Sequence, residues 1–227
     1  ALDSAAPDFA LGNAGAGLGC LAGTLKGGLG SASLTFDGIT VGALVAVNSF
    51  GSAIDPRSGD LWARPFEFGG EFTGPPPRPP AAGPVSLRAG TKADAQPGTN
   101  TTIAVVATDA PLSARQLGRL ARRAPLGLAR SGFTSSPGSC DYVIAFCTHP
   151  EGPGTDWLHK PQERLRDEQR TLGLLFQAVV EATEESLLNS LAAAETLAGR
   201  DGHVARALPQ PVIQEWLALQ NTPREAL

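Results

Sequence analysis

Two apolar runs in the first half of the chain have the length and composition of β-strands. The run ITVGALVAVN ends at Asn48, and the run Ile103–Ala107 follows the polar leader QPGTNTT. The second run is continuously apolar and β-branched, which is typical of a strand that is buried on both faces. Thr101 and Thr102 are therefore predicted to lie at the entrance of this strand.

The pattern changes to a helical period after this strand. A capping box at Ser113 and Gln116 precedes apolar residues on one helical face, which are Leu117, Leu120, Ala121, Ala124 and Leu128. Such a face predicts a helix that packs on a sheet. A further strand is predicted from Asp141 to Phe146, after the turn SSPGS.

A long segment from Thr171 to Gly199 is rich in Ala and Leu. This composition predicts a helix that packs in the core and ends at the glycine. Its carboxylates, Glu181, Glu184 and Glu185, are expected on the face that solvent reaches.

A proline- and glycine-rich segment, residues 55–100, separates the two halves. It contains GPPPRPPAAGP, which has six prolines in eleven residues and predicts a loop. A loop of this length is usually functional or disordered, and this one leads directly to Thr101.

With 227 residues, 42% of them hydrophobic, the chain is predicted to form a single domain around one core.

Composition and charge exclude several classes of function. The formal net charge is −4 and the basic residues are dispersed, so a nucleic acid is not an expected partner. No apolar run is long enough to span a bilayer, and no membrane partner is expected. The glycine-rich stretches GNAGAGLGC and LKGGLGSAS lack the setting of a nucleotide-binding loop and are interpreted as sites of close backbone packing.

The cysteines and histidines do not form a recognisable site. Cys20, Cys140 and Cys147 lack the paired spacing of a zinc site, so reduced thiols are expected. The three histidines, which show no triad spacing with an acid, are His149, His159 and His203. No metal or organic cofactor is expected.

The chain contains no Met, even at its first position, which predicts that it is a fragment of a longer product whose N-terminal portion is missing.

Five stretches of the chain together resemble one protein family. They are LKGGLGSAS, TVGALVAVN, NTTIAVVATDAPLSARQLGRLARRA, GSCDYVIAF and EATEESLLNSLAAAETLAGRDGH. In order and spacing they resemble the DmpA family of self-cleaving aminopeptidases, which includes β-peptidyl aminopeptidases and nylon-oligomer hydrolases. The resemblance covers essentially the whole sequence. It implies an α+β fold, the four-layer αββα sandwich of the DmpA and ornithine acetyltransferase type, which is N-terminal-nucleophile-like.

The resemblance implies that a precursor cuts itself between Asn100 and Thr101. Residues 1–100 would then be the C-terminal part of the large (α) subunit, and residues 101–227 the small (β) subunit. A Thr hydroxyl can attack the carbonyl of the preceding residue, and hydrolysis of the resulting ester frees a new N-terminus. The α-amine of Thr101, with an ordinary pKa of about 7.7 to 8.0, can then act as the base for its own hydroxyl.

Four further site residues follow from the resemblance. Asn48 would donate its side-chain amide to the oxyanion of the tetrahedral intermediate. Ser139 and Asp141, in GSCD, would orient the nucleophile and its amine. Lys26, in LKGGLG, matches a family lysine near the catalytic centre. Without the family, Asn48 is more simply a turn-forming residue and Lys26 a solvated loop lysine.

The implied function is that of an autoprocessing amide hydrolase without cofactors. The preferred activity is the release of N-terminal residues from small peptides or amides through an acyl-enzyme on Thr101. Three alternatives stay open: endo-type hydrolysis of 6-aminohexanoate (nylon) oligomers, acyl transfer to an amine, and an unprocessed, non-catalytic fragment that only assembles with partner subunits. The pairing of Asn100 with Thr101 is typical of the nylon branch, whereas Ser139 is typical of the aminopeptidases.

By analogy with the family, the processed pair of subunits is expected to form a homotetramer. The expected compartment is the cytoplasm, with the periplasm as the alternative.

Overall fold

A computed structural model describes residues 6–54, 61–63, 66, 100–133, 141–149 and 168–208. Eight strands and three α-helices form within these residues. The strands are β1 (Leu21–Ala22), β2 (Leu25–Lys26), β3 (Leu29–Phe36), β4 (Ile39–Ala46), β5 (Ile103–Thr108), β6 (Tyr142–Cys147), β7 (Leu197–Ala198) and β8 (Val204–Ala205). The helices are α1 (Ala114–Ala121), α2 (Ala124–Arg130) and α3 (Glu168–Ala192).

The central element is a four-stranded sheet in the order β3-β4-β5-β6. β3 and β4 form a hairpin, because Asp37 and Gly38 both adopt the positive φ angles, 48° and 73°, that tight hairpin turns favour. β5 pairs antiparallel with β4, and Ala46 lies opposite Ile103. β6 pairs parallel with β5, which requires the helical crossover that α1 and α2 supply.

The helices cover one face of this sheet. α3 crosses β3 and β4, and α2 packs on α3. Gly30 of β3 lies so close to α3 that a side chain there would collide with the Ser186 carbonyl. The residues between the sheet and the helices form the hydrophobic core, among them Val41, Val45, Val106, Val179 and Leu187. The predicted packing of a helix on a sheet is therefore confirmed.

The opposite face of the sheet is open within the described residues. It presents Ile103, Tyr142, Ile144 and Phe146, whose exposed fractions are 51%, 61%, 64% and 44%. Burial of β5 on both faces was the expectation, but the described residues bury only its helical face. Besides the two-stranded pairs β1-β2 and β7-β8, they contain one four-stranded sheet and one helical layer of the predicted sandwich. The open apolar face of the four-stranded sheet is one on which a second sheet can pack. The α+β class is confirmed.

The helix predicted behind Ser113 is present, but it forms as two helices. The capping box is confirmed, since the Gln116 N–H donates to Ser113 Oγ at 3.4 Å and the Ser113 N–H donates to Gln116 Oε1 at 2.9 Å. α1 ends at Ala121, and α2 carries Pro125 in its first turn. Proline lacks an N–H and its ring clashes with the carbonyl four residues earlier, so a continuous helix breaks here.

The long helix ends at Ala192 and not at the predicted Gly199. The Asn13 side chain exchanges two hydrogen bonds with the backbone of Glu195, at 3.0 and 3.3 Å. The following residues form β7, which pairs with β8. These contacts with distant parts of the chain hold the segment extended and override its helical composition.

Glu184 is buried, which corrects the expectation that it lies on a solvent-exposed face. It is 7% exposed and pairs with Arg130 of α2 at 2.9 Å. α2 covers the carboxylate because Gly127 lets the two helix backbones approach closely. Burial raises the pKa of Glu184 to about 7, although the Arg130 guanidinium acts to lower it. We attribute the net direction to desolvation, since Oε1 is buried without a hydrogen-bond partner among the described residues.

Most of the predicted loop at 55–100 lies outside the described residues. Where it is described, the Trp62 N–H donates to the Ala53 carbonyl at 2.9 Å, so this part of the loop packs on the segment that follows β4. Within the described ranges, no helix combines the length and apolar character needed to cross a membrane.

Candidate active site

Asn48 and Thr101 are neighbours at the ends of β4 and β5. The Thr101 N–H donates to the Asn48 carbonyl oxygen at 2.9 Å, which extends the antiparallel ladder beyond the pair Ala46 and Ile103. Residues directly opposite in such a ladder point to the same face of the sheet, with their Cβ atoms about 4.5 to 5.5 Å apart. The fold thus brings together two of the residues that the sequence proposed, on the open face.

The Thr101 hydroxyl lies against the peptide bond that the sequence predicts to be cut. Thr101 Oγ1 donates to the Asn100 carbonyl oxygen at 2.8 Å, and the side chain is half-buried. The hydroxyl is therefore already adjacent to the carbonyl that it would have to attack.

The Asn48 amide is held in a fixed orientation. Its Oδ1 accepts a hydrogen bond from the Leu21 N–H of β1 at 3.0 Å. This bond joins residues that are far apart in sequence, so Asn48 does not act as a local turn-forming residue. Its donor atom, Nδ2, has no acceptor among the described residues, and it remains available on the face shared with Thr101.

Ser49 contacts the residues on both sides of Thr101, and sequence reasoning missed it. The Asn100 Nδ2 donates to the Ser49 carbonyl oxygen at 2.8 Å. Ser49 Oγ shares a hydrogen bond of 2.7 Å with Thr102 Oγ1. The only sequence signal was the polar pair Asn48-Ser49 directly after an apolar strand.

Asp141 lies at the start of β6, beside the start of β5. Its Oδ1 accepts a hydrogen bond from the Thr102 N–H at 3.2 Å, and the Tyr142 N–H donates to the Thr102 carbonyl at 2.9 Å. The carboxylate thus binds the residue after Thr101, and its role in orienting the Thr101 hydroxyl and amine stays a prediction. Ser139, its expected companion, lies outside the described residues.

Lys26 is 1% exposed, so the interpretation as a solvated loop lysine is wrong. Its Nζ donates to the carbonyls of Gly17, Cys20 and Gly27, at 2.8, 3.2 and 2.5 Å. These carbonyls belong to the loop that carries Leu21, whose N–H orients Asn48. Lys26 is therefore connected to the site through the loop that it holds together.

A cavity of about 230 Å³ lies beside the start of β5, on the helical side of the sheet. Its polar end is formed by Ser49, Thr102 and Asp141, and its apolar wall by Phe50, Pro125, Leu128, Ala129 and Phe133. In the described part of the chain, no group of three or more His, Cys, Asp or Glu side chains is placed to hold a metal ion. Cys20 is buried and its Sγ contacts the Ala16 carbonyl oxygen at 3.2 Å, whereas Cys140 lies outside the described residues.

The comparisons with known proteins agree on one family. The model of peptidase family S58 matches residues 1–205. The β-peptidyl aminopeptidase BapA of Sphingosinicella xenopeptidilytica is 36% identical over 205 residues, covering 87% of this chain and 48% of that protein. A solved structure from Pyrococcus horikoshii OT3 is 35% identical with a TM-score of 0.62, covering 96% of this chain and 55% of that one.

A second solved structure identifies the fold. The L-aminopeptidase D-Ala-esterase/amidase of Ochrobactrum anthropi is 27% identical with a TM-score of 0.64, covering 96% of this chain and 55% of that one. It is described as a prototype of the serine aminopeptidases and a variant of the N-terminal-nucleophile (Ntn) hydrolase fold. The present chain spans about half the length of the curated relatives that it matches. It belongs to peptidase family S58, which confirms the DmpA resemblance of its motifs.

Proposed function

We propose that the protein is a self-cleaving aminopeptidase in which Thr101 is the nucleophile, first for its own processing and then for substrates. The observation that carries this proposal is the contact of 2.8 Å between Thr101 Oγ1 and the Asn100 carbonyl oxygen. Membership of peptidase family S58 supports an amide-hydrolysing role.

Processing begins when Thr101 Oγ1 attacks the carbonyl carbon of Asn100. The C–N bond breaks, and the hydroxyl proton passes to the leaving nitrogen, so that an ester joins Asn100 to Thr101 Oγ1. Water then hydrolyses the ester. The products are a carboxylate on Asn100 and a free hydroxyl and α-amine on Thr101.

In the mature enzyme the Thr101 α-amine accepts the proton of its own hydroxyl as the hydroxyl attacks a substrate carbonyl. Asn48 Nδ2 donates to the developing oxyanion, a role worth about 2.7 to 4 kcal/mol in other enzymes. Asp141 fixes the strand entrance through the Thr102 N–H. Lys26 holds the loop that orients Asn48. This reaction requires no metal or organic cofactor.

The substrates of this mechanism are small peptides or amides with a free N-terminal amine. Two similar proteins, the β-peptidyl aminopeptidase and the L-aminopeptidase, support this class. Asp141 accepts a hydrogen bond from the Thr102 N–H, so this proposal does not assign it to the substrate ammonium. The processed subunit pair forms a homo-oligomer. Three cysteines without paired spacing favour reduced thiols, and on that ground this proposal places the protein in the cytoplasm.

Mass spectrometry of the purified protein under denaturing conditions tests the proposal. We expect two pieces that correspond to residues 1–100 and 101–227. Thr101→Ala should stay whole, while Thr101→Ser, which keeps a hydroxyl, should be cut. An uncut wild-type chain, or cleavage of Thr101→Ala at the same bond, would refute the proposal.

A further inference from the structure

Ser49 holds both residues that flank Thr101. Its carbonyl accepts from Asn100 Nδ2 at 2.8 Å, and its hydroxyl is bonded to Thr102 Oγ1 at 2.7 Å. All three side chains are buried, with exposed fractions of 2% for Ser49, 5% for Asn100 and 1% for Thr102. The backbone N–H of Thr101 itself donates to the carbonyl oxygen of Asn48, the residue before Ser49. Two consecutive residues therefore fix three consecutive residues around the bond between Asn100 and Thr101.

This arrangement restricts the rotations that would separate the hydroxyl from its target. Thr101 Oγ1 stays on the Asn100 carbonyl only while the backbone on both sides of the peptide bond keeps its position. The anchors on Asn100 and Thr102 lie one residue to each side, so they define that position. Holding reacting groups in contact lowers the entropic part of a barrier.

We propose that Ser49 is a positioning residue for self-cleavage, acting through its hydroxyl on Thr102 and through its carbonyl on Asn100. The inference rests on the proposed function, since it concerns the same peptide bond. Ser49 touches none of the reacting atoms. It acts by holding the Thr101 hydroxyl against the carbonyl that it attacks.

The test is the rate at which the newly made full-length chain is converted into its two pieces. Ser49→Ala removes the hydroxyl and leaves Thr102 Oγ1 buried without its partner, so we expect cleavage to slow about tenfold. Thr102→Val removes the same bond from the other side and should slow cleavage similarly. The double variant should be no slower than the slower single one, because both changes break one bond.

Two control variants separate positioning from folding. Ser190→Ala removes another fully buried hydroxyl, which donates to the Leu187 carbonyl within α3 at 2.7 Å, and it should cleave at the wild-type rate. Thr102→Ser keeps the hydroxyl and should restore the rate lost in Thr102→Val. The comparison of Thr102→Val with Thr102→Ser keeps the inference testable if Ser49→Ala does not fold.

Hydroxylamine distinguishes a defect in ester formation from a defect in ester hydrolysis. Hydroxylamine cleaves esters, so it accelerates the cleavage of any chain in which the ester forms but is hydrolysed slowly. Because positioning acts on ester formation, hydroxylamine should not restore the rate of Ser49→Ala. Restoration, or cleavage of Ser49→Ala at the wild-type rate, would overturn the inference and leave the proposed function intact. A wild-type chain that is never cut at Thr101 would refute both the proposed function and the inference about Ser49.

Discussion

The backbone N–H of Thr101 lies 2.9 Å from the carbonyl oxygen of Asn48, and this single bond makes the two side chains neighbours on one face of the sheet. The proposed nucleophile and the proposed oxyanion donor thus lie at the ends of adjacent strands and need no flexible loop to meet. The first prediction follows from this pair.

Asn48→Ala should fold normally and lower kcat of the full-length enzyme by about 10² to 10³, because an oxyanion donor acts on the transition state. Asn189→Ala is the matched control, since it removes an amide that donates to the Ser31 carbonyl at 3.0 Å, away from the site. Steady-state kinetics with thermal melts of both variants provide the measurement. A folded Asn48→Ala enzyme with wild-type kcat would exclude the oxyanion role.

Lys26→Met should lower the free energy of unfolding by about 3 kcal/mol, because it leaves three buried carbonyls without their charged donor. Turnover should fall as well, since the same loop orients Asn48. Arg115→Ala removes an exposed positive charge on α1 and serves as the control. Urea unfolding with an unchanged midpoint for Lys26→Met would show that the buried ammonium does not stabilise the loop.

Glu184 should make stability depend on pH. Its pKa of about 7 in the folded chain lies above its ordinary value of 4.5, because of burial, with Glu181 and Glu185 adding to the rise and Arg130 opposing it. The folded state therefore binds more protons than the unfolded state between these values, and the free energy of unfolding falls as pH rises from about 4.5 to about 7.

Glu184→Gln removes this titration, so wild-type stability relative to Glu184→Gln should decrease across that window. Urea unfolding at several pH values measures the difference. The exposed carboxylate variant Glu195→Gln should keep the pH dependence of the wild type. A wild-type stability that is constant relative to Glu184→Gln, or that increases with pH, would contradict the assignment.

The full-length enzyme should hydrolyse amino acid p-nitroanilides and lose this activity when the substrate amine is acetylated. Burying an ammonium without a partner costs several kcal/mol, so an aminopeptidase site must be built around that charge. The present chain spans about half the length of its curated relatives, so the 227 residues alone should be weak or inactive on these substrates. Equal rates on free and acetylated substrates, with internal cleavage of a long amide oligomer, would instead favour the nylon-oligomer activity.

Local patterns carried the prediction of the strands, the capping box and the Thr101 position. The apolar runs before Asn48 and after Thr102 are strands, as their length and β-branched content predict, and the structure places them side by side. The strand pattern and the family resemblance together placed Asn48 and Thr101 at the ends of these strands, and their catalytic roles stay predictions.

The remaining features depend on contacts between distant segments, which no local pattern encodes. Lys26 is buried because three loop carbonyls surround it, and Glu184 because α2 lies over α3 at Gly127. Ser49 was missed because its partners, Asn100 and Thr102, lie more than fifty residues away. The sequence around each of these side chains gives no sign of its burial or its contacts, because both arise only when the chain is folded.

Peptide mapping of the mature enzyme, quenched during turnover of a slow ester substrate, tests the central claim most directly. We expect the small subunit to begin at Thr101 and its N-terminal peptide to carry the mass of the acyl group. Treatment with hydroxylamine should remove that mass, as expected for an ester. An acyl group on any other residue, or a small subunit that begins elsewhere, would contradict the assignment of Thr101 as the nucleophile.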